Sequence, residues 1–309
     1  MQTLTAADSR RVSGAWILTA CFFATPGWAQ SPVTGHYPPG QSGIRGAATP
    51  DAGFVYTNFS RFFTNLQLAD GGGHSVQDLD ELRFANISMF ALTTDFELFG
   101  MRYGALVGVP FSTGNLRPSA DDALSDDFGL GDVLLTPVSL YGKNDRFDYQ
   151  VQLTLWTSSG HFEPGGTHNR GSGFSALVYS LGGVFYPGGD RGNWSLSAVA
   201  RIEQNFEQDG SGITPGNDIV VDWGIGKVVP LFERRVDLGV SGFGAWQVSA
   251  QDGPVGSADV GRYRYYGIGP EASMPLTKAV SMRIRAQWEF GSRNVVQGNN
   301  LWIIFAWRK

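Results

Sequence analysis

Residues 281–290 read SMRIRAQWEF. Charged or amide side chains alternate with apolar ones at nearly every step. A helix would spread the two kinds around its circumference, whereas a strand sorts them onto opposite faces with period two. Taken from one residue earlier, Val280, Met282, Ile284, Ala286, Trp288 and Phe290 share one face, and Ser281, Arg283, Arg285, Gln287 and Glu289 share the other. Each face must meet a different solvent.

The same sorting recurs along the chain. Tyr149, Val151, Leu153 and Leu155 oppose Asp148, Gln150, Gln152 and Thr154. Met101, Tyr103, Ala105, Val107 and Val109 oppose Arg102 and Gly104. Ile219, Val221, Trp223 and Ile225 oppose Asp222 and Gly224, and Trp194, Leu196 and Ile202 oppose Ser195, Arg201 and Glu203. Twelve strand-like segments emerge, near 53–63, 83–93, 101–111, 130–141, 147–157, 174–186, 194–204, 218–228, 236–247, 263–274, 280–290 and 301–308. The first, second and sixth sort poorly, and their faces stay unassigned. Most are about ten residues long, the length a tilted membrane-crossing strand needs and nearly twice that of a globular strand.

The connections alternate in length. Odd-numbered ones are long and polar, such as LQLADGGGHSVQDLDE (66–81) and GSRNVVQGNN (291–300); even-numbered ones are short, such as GKNDR (142–146) and PLTKA (275–279). That asymmetry predicts an all-β, transmembrane antiparallel barrel of about 12 strands, with long external loops and short periplasmic turns. A water-soluble barrel with one wet face would show the same alternation. Segment length, loop asymmetry and the N-terminus separate the two. Tyr141, Tyr186, Trp194, Tyr263, Trp302 and Trp307 lie near segment ends and are read as an aromatic girdle. The last segment, LWIIFAWRK, keeps an aromatic or aliphatic residue at every second position up to Trp307 and then adds Arg308 and Lys309.

Composition agrees. Of 309 residues 42 are glycine, 13% are aromatic and only 17% are charged, below the roughly 25% usual in soluble domains. Residues 1–29 read as a secretory signal: a basic start at Arg10 and Arg11, an apolar middle at 15–24, and Gly27-Trp28-Ala29 before Gln30. LTAC, Leu18 to Cys21, is a rival lipoprotein box. Residues 30–50 are read as a Pro/Gly-rich lead-in or a plug folded into the lumen, and 51–309 as the barrel. Cys21 is the only cysteine, so a mature chain would have no disulfide. The formal net charge of -5 gives no indication of nucleic-acid binding.

On this reading the charged faces line a wet lumen, because a charge facing hydrocarbon costs roughly 2–4 kcal/mol at mid-membrane. The expected lumen-lining residues are Arg102, Gln150, Gln152, Arg201, Glu203, Arg283, Arg285 and Glu289. Arg283 and Arg285 are expected to face Glu289 or Glu203 in a ladder across the bore.

FGLGDVLLTPVSLYG (128–142), HYPPG (36–40) and YYGIGPEASMPLTKAVSMRIRAQWEF (265–290) resemble a family of outer-membrane proteins of the phenol meta-cleavage (MetA) pathway. The resemblance implies an outer-membrane barrel passing hydrophobic or aromatic compounds. It carries no catalytic residue onto this chain. Gly129, Gly131 and Asp132 in the first stretch read structurally as a strand entry at the lumen rim.

Enzymatic readings find little. A barrel lipid hydrolase needs a serine beside a histidine base and an orienting group. GTHNRGSG (166–173) offers His168, Asn169 and Ser172, but Arg170 stands where such a serine would be; His74-Ser75 sits among loop glycines. His161, Glu163 and His168 match no standard metal spacing. The acidic run 121–132 lacks the ligand order of a calcium loop. The expectation is no enzyme, no cofactor and no metal. The leading function is passage of a small hydrophobic or aromatic cargo, the alternatives a closed structural or adhesion barrel and, behind it, an outer-membrane lipid-modifying hydrolase. Expected partners are outer-membrane lipid and lipopolysaccharide, the cargo and, during assembly, the barrel-insertion machinery; the expected location is the bacterial outer membrane.

Overall fold

The computed structural model describes residues 32–116, 128–166, 169–231, 234–254 and 261–309. The signal reading, His168 and most of the acidic run at 121–132 lie outside them. The strands are β1 (Gly53–Ala69), β2 (Ser75–Leu98), β3 (Met101–Asn115), β4 (Gly129–Leu130), β5 (Leu134–Lys143), β6 (Phe147–Trp156), β7 (Ala176–Phe185), β8 (Trp194–Asn205), β9 (Asp218–Leu231), β10 (Arg234–Gln247), β11 (Arg264–Pro275), β12 (Val280–Arg293) and β13 (Val295–Arg308). Each long strand pairs antiparallel with its neighbours in sequence, apart from β3, which pairs directly with β5 and with the two-residue β4. Pairing of β1 with β13, from Val55 opposite Arg308 to Ala69 opposite Val295, closes the cylinder. Twelve long strands thus form a barrel with no free long edge.

The short connections are tight. Between β2 and β3, Phe99 and Gly100 both take positive φ (54° and 73°), the primed-turn geometry whose twist matches a hairpin. The first and sixth long connections depart from the loops expected of them. Most of 66–81 and 291–300 is strand: β1 and β2 continue to a turn at 70–74, and β12 and β13 meet at Asn294. Polar side chains there suit two wet faces beyond the membrane, so the ladder simply extends.

Assigned faces divide as the alternation requires. Outward Ile284, Trp288, Val151 and Leu196 are 41%, 54%, 44% and 42% exposed, whereas inward Arg285, Gln150, Asp222 and Glu203 are at most 5% exposed. The three unsorted strands have clear physical causes. On β7 both faces are apolar: Tyr179 and Leu181 point out, and Ala176, Val178 and Val184 point in. On β1 and β2 the usual polarity is partly inverted. Phe59 and Ile87 face inward, while Asn58, Ser60, Asn86 and Ser88 share the face of Phe305 and Ile303, toward lipid. These outward groups satisfy one another. Asn58 and Asn86 exchange amide bonds of 3.0 and 2.9 Å, Asn86 donates to Ser60 at 3.0 Å, and Tyr56 bonds Ser88 at 3.1 Å.

The aromatic girdle is corrected. Tyr141, Tyr186, Tyr263 and Trp302 are buried inside the barrel; of the six only Trp194 and Trp307 are exposed. The outward belt is built instead with Phe96, Phe147, Tyr149, Trp288 and Phe290.

Candidate functional site

Residues 32–50 contain no strand or helix and run along the inner wall. At one end Val33 N–H donates to Gln251 Oε1 (3.2 Å), beyond β10 on the long-connection side. At the other Thr49 hydroxyl donates to Gly142 O (2.7 Å), beside the short turn at 144–146. Between them the backbone is held by carboxylates of the wall. Glu203 accepts His36 N–H (2.6 Å) and Tyr37 N–H (3.2 Å); Asp222 accepts Gly40 N–H (2.8 Å), Ser42 N–H (3.0 Å) and the Tyr37 hydroxyl (2.5 Å). Glu271 accepts Ile44 N–H (3.2 Å), and Asp237 pairs with Arg45. An irregular backbone at this depth has orphan donors, and inward carboxylates satisfy them. Close approach needs glycine on both sides: a Cβ at Gly224 would lie 2.6 Å from Ile44 N, and one at Gly43 would overlap Arg285 and Glu271.

His36 is the most constrained group. Its side chain is 2% exposed, with Nδ1 3.0 Å from Glu203 Oε1 and Nε2 3.4 Å from Asp132 Oδ2. The ring stacks on Trp156 at 5.3 Å and meets Phe174 edge-on at 4.3 Å. Burial disfavours the charged imidazolium, but the contacts with Asp132 and Glu203 outweigh it and push the pKa up to about 9. Burial likewise raises Asp132, yet His36 and the backbone N–H groups of Ser172 and Gly160 hold it below the usual carboxylate range. Asp132 thus joins segment 32–50 to the 157–175 connection.

Each expected lumen residue has a definite place. Arg285 is fully buried, donating from Nε to Glu271 (2.8 Å) and from Nη1 to the carbonyls of Gly40 and Gln41. Arg283 lies 3.2 Å from the other Glu271 oxygen. The expected ladder from Arg283 and Arg285 to Glu289 or Glu203 does not form. Their partner is Glu271 on the neighbouring strand. Glu203 is committed to residues 36 and 37, and Glu289 accepts Gly298 N–H and the Asn300 amide, both at 2.8 Å. Arg201 bonds Asp222 (3.2 Å) and Ser42 (2.8 Å) and stacks 3.9 Å over Tyr37. Arg102 reaches Pro50 O (3.4 Å), Gln152 donates to the Tyr141 hydroxyl (3.1 Å), and Gln150 is buried beside them.

The charged arc, β8 to β12, is therefore covered by segment 32–50. The opposite arc lacks charge and is largely apolar: Phe59, Met89, Leu106, Leu134, Trp156 and Val178 face a cavity of about 410 Å³, with neutral polar groups such as Thr136, Gln150 and Ser180 among them. His36, Tyr37, Asp132, Asp222, Asp237 and Glu271 were not among the expected site residues. A Tyr-Pro-Pro-Gly lead-in and lone carboxylates on inward faces were the available signals, but the pairing between them is set by the fold.

The enzymatic candidates serve loop architecture. Asn169 closes its loop on Glu163 N–H (2.7 Å) and O (2.8 Å), and Ser172 N–H donates to Asp132 (2.6 Å). His161 and His74 are exposed. Among the described residues no group of three His, Cys, Asp or Glu side chains is placed to hold a metal ion.

Residues 64–305 match the model of the family described as "Putative MetA-pathway of phenol degradation". The chain belongs to this family. Among solved structures it is similar to an outer membrane channel from Pseudomonas putida F1, with a TM-score of 0.71, 15% identity, and coverage of 89% of this chain and 100% of that one. It also matches the β domain of the Bordetella autotransporter BrkA (TM-score 0.47, 12% identity, 83% and 99% covered). A third match is the transport unit of the Escherichia coli autotransporter AIDA-I (0.44, 12%, 84% and 91%). No curated protein matches the sequence. The MetA-family member is thus an outer-membrane β-barrel with the fold of an outer-membrane channel.

Proposed function

We propose that the protein passes small, largely apolar molecules, aromatic ones included, across the outer membrane by diffusion along the half of the lumen that segment 32–50 leaves uncovered. The observation that carries this reading is the apolar arc facing the cavity. A water-filled polar pore has no use for Trp156, Leu134 and Phe59 on its inner wall, and a closed structural barrel has no use for a cavity beside them. Residues 30–50 act as the plug, following a leader at 1–29. Arg102, Gln150, Gln152, Arg201, Glu203, Arg283, Arg285 and Glu289 set the field and the constriction, four of them (Arg102, Arg201, Glu203 and Arg285) by fixing that plug. Lipopolysaccharide around the wall and the insertion machinery during assembly are the remaining partners. The test is uptake of a phenol or an alkylbenzene into proteoliposomes, with and without Leu134→Gln. Flux that is carrier-dependent and falls in the variant supports transport; flux equal to protein-free vesicles removes it.

A specific observation favours a side route for such cargo. Near Thr136-Pro137 the β3–β5 register shifts between Gly104 and Leu106, and Pro137 offers no N–H to the ladder. A cavity of about 490 Å³ opens there on the outer face, lined by Phe90, Leu92, Val107, Leu135 and Leu155. It shares Phe54, Ala91, Leu106 and Thr136 with the inner one. A disulfide between Leu106→Cys and Thr136→Cys, which are register partners, should slow apolar flux and leave ion conductance unchanged. Unaltered flux would dismiss the side route.

A further inference from the structure

The inner cavity is lined by five cationic side chains, Arg45, Arg201, Arg283, Arg308 and Lys309, against one acidic side chain, Asp51. Two of the five are committed elsewhere: Arg45 to Asp237 and the carbonyls of Arg191 and Asn193, Arg201 to Asp222 and Ser42. Arg283 is different. It shares Glu271 with Arg285, and the other acid near it, Asp237, is paired with Arg45, so three guanidinium groups face two carboxylates. Arg285 holds the well-aligned bond, and Ile44 N–H occupies the same oxygen. Arg283 Nε, although 3.2 Å from the second oxygen, forms no aligned hydrogen bond. Its side chain is 27% exposed, into the cavity. One cation of the trio is left over, and it is the one the cavity reaches.

Register brings this surplus charge against the apolar arc. Arg283 is opposite Ile304, Ile304 opposite Phe59, and Phe59 opposite Ile87, so a single row on the inner wall runs from guanidinium to hydrocarbon. With strands about 4.8 Å apart, Arg283 and Phe59 are separated by roughly 10 Å along that row. That is the length of a small amphiphile.

We infer that the cavity is a binding site for a carboxylate-bearing amphiphile, its anionic head on Arg283 and its apolar body along Ile304 and Phe59 toward Trp156. This rests on the transport reading above and names the cargo class. Arg308, on the same inner face at the short-turn end, extends the positive field toward the mouth. A planar guanidinium with unused donors matches a carboxylate in two-point contact, and a neutral alcohol of the same shape cannot return that interaction.

The test uses the full chain in nanodiscs and a matched pair of probes, 4-butylbenzoate and 4-butylbenzyl alcohol, at neutral pH. Calorimetry should give carboxylate affinity about tenfold or more above the alcohol, as expected for a charge-assisted bond. Arg283→Gln should abolish that advantage and leave alcohol affinity within about twofold. Arg283→Lys should restore part of it. Equal affinity of the two probes in the wild type, or an equal loss for both in Arg283→Gln, overturns the carboxylate assignment alone. If neither probe binds, the transport reading falls with it.

Discussion

Raising the pH should release the outer end of segment 32–50, because His36 holds it as a cation. The ring's pKa is about 9 in the folded protein against 6.5 when free, a difference worth on the order of 3 kcal/mol. Since the folded value is the higher one, this contribution is whole below about pH 6.5 and is lost as the pH rises through about 9. Above that, Asp132 and Glu203 lose the cation between them, and Asp218, whose carboxylate lies against Gly35, adds a third acid on the same side. Arg201, which stacks over the adjoining Tyr37, is bound to Asp222 and Ser42. Acid acts in the opposite sense: Asp132 is held below its ordinary range, so its contribution is present above about pH 4 and fades on further acidification. The seat is therefore firmest between those limits. Two measurements check this. An imidazole carbon titration by NMR in nanodiscs should place His36 near pH 9. Single-channel conductance should rise across the same interval, whereas His36→Gln should remove that pH-dependent step. A His36 midpoint near 6.5, or an identical conductance profile in His36→Gln, would refute the reasoning.

Other perturbations have equally definite outcomes. Arg285→Met leaves Glu271 and two carbonyls short of a donor and should destabilise the folded barrel by about 3–5 kcal/mol in urea unfolding; adding Glu271→Gln should recover a large part of that loss. Gly224→Leu cannot coexist with the backbone of Ile44, so segment 43–45 should leave its seat, seen as protease cleavage near Arg45 with the barrel intact. Asn58→Leu alone takes the donor from the Asn86 amide oxygen, although its NH2 keeps Ser60, and should cost about 1–3 kcal/mol, whereas Asn58→Leu with Asn86→Leu should be near neutral or stabilising. A double-mutant cycle on vesicle-inserted protein reads the difference.

Much of the architecture is local and so was legible in the chain. A strand's period of two needs only its own residues, which is why 280–290, 147–157, 194–204 and 218–228 disclosed their faces and why the barrel class followed from connection lengths. Local pattern failed where two neighbours decide polarity together. Asn58 and Asn86 face lipid because each satisfies the other across the β1–β2 ladder, and β7 is apolar on both faces because its inner side meets the cavity at Val178 and Ala47 of segment 32–50 at Val184, instead of the charged arc. Electrostatic partners were beyond reach for the same reason. Arg283 and Arg285 looked equivalent in SMRIRAQWEF, yet register with β11 and the passage of Gly40 and Gln41 bury one and leave the other facing open space. Alternation along one strand is written in covalent order. Which charges meet, and which is left unspent, depends on strand pairing and on where residues 32–50 come to rest, and those are properties of the closed cylinder.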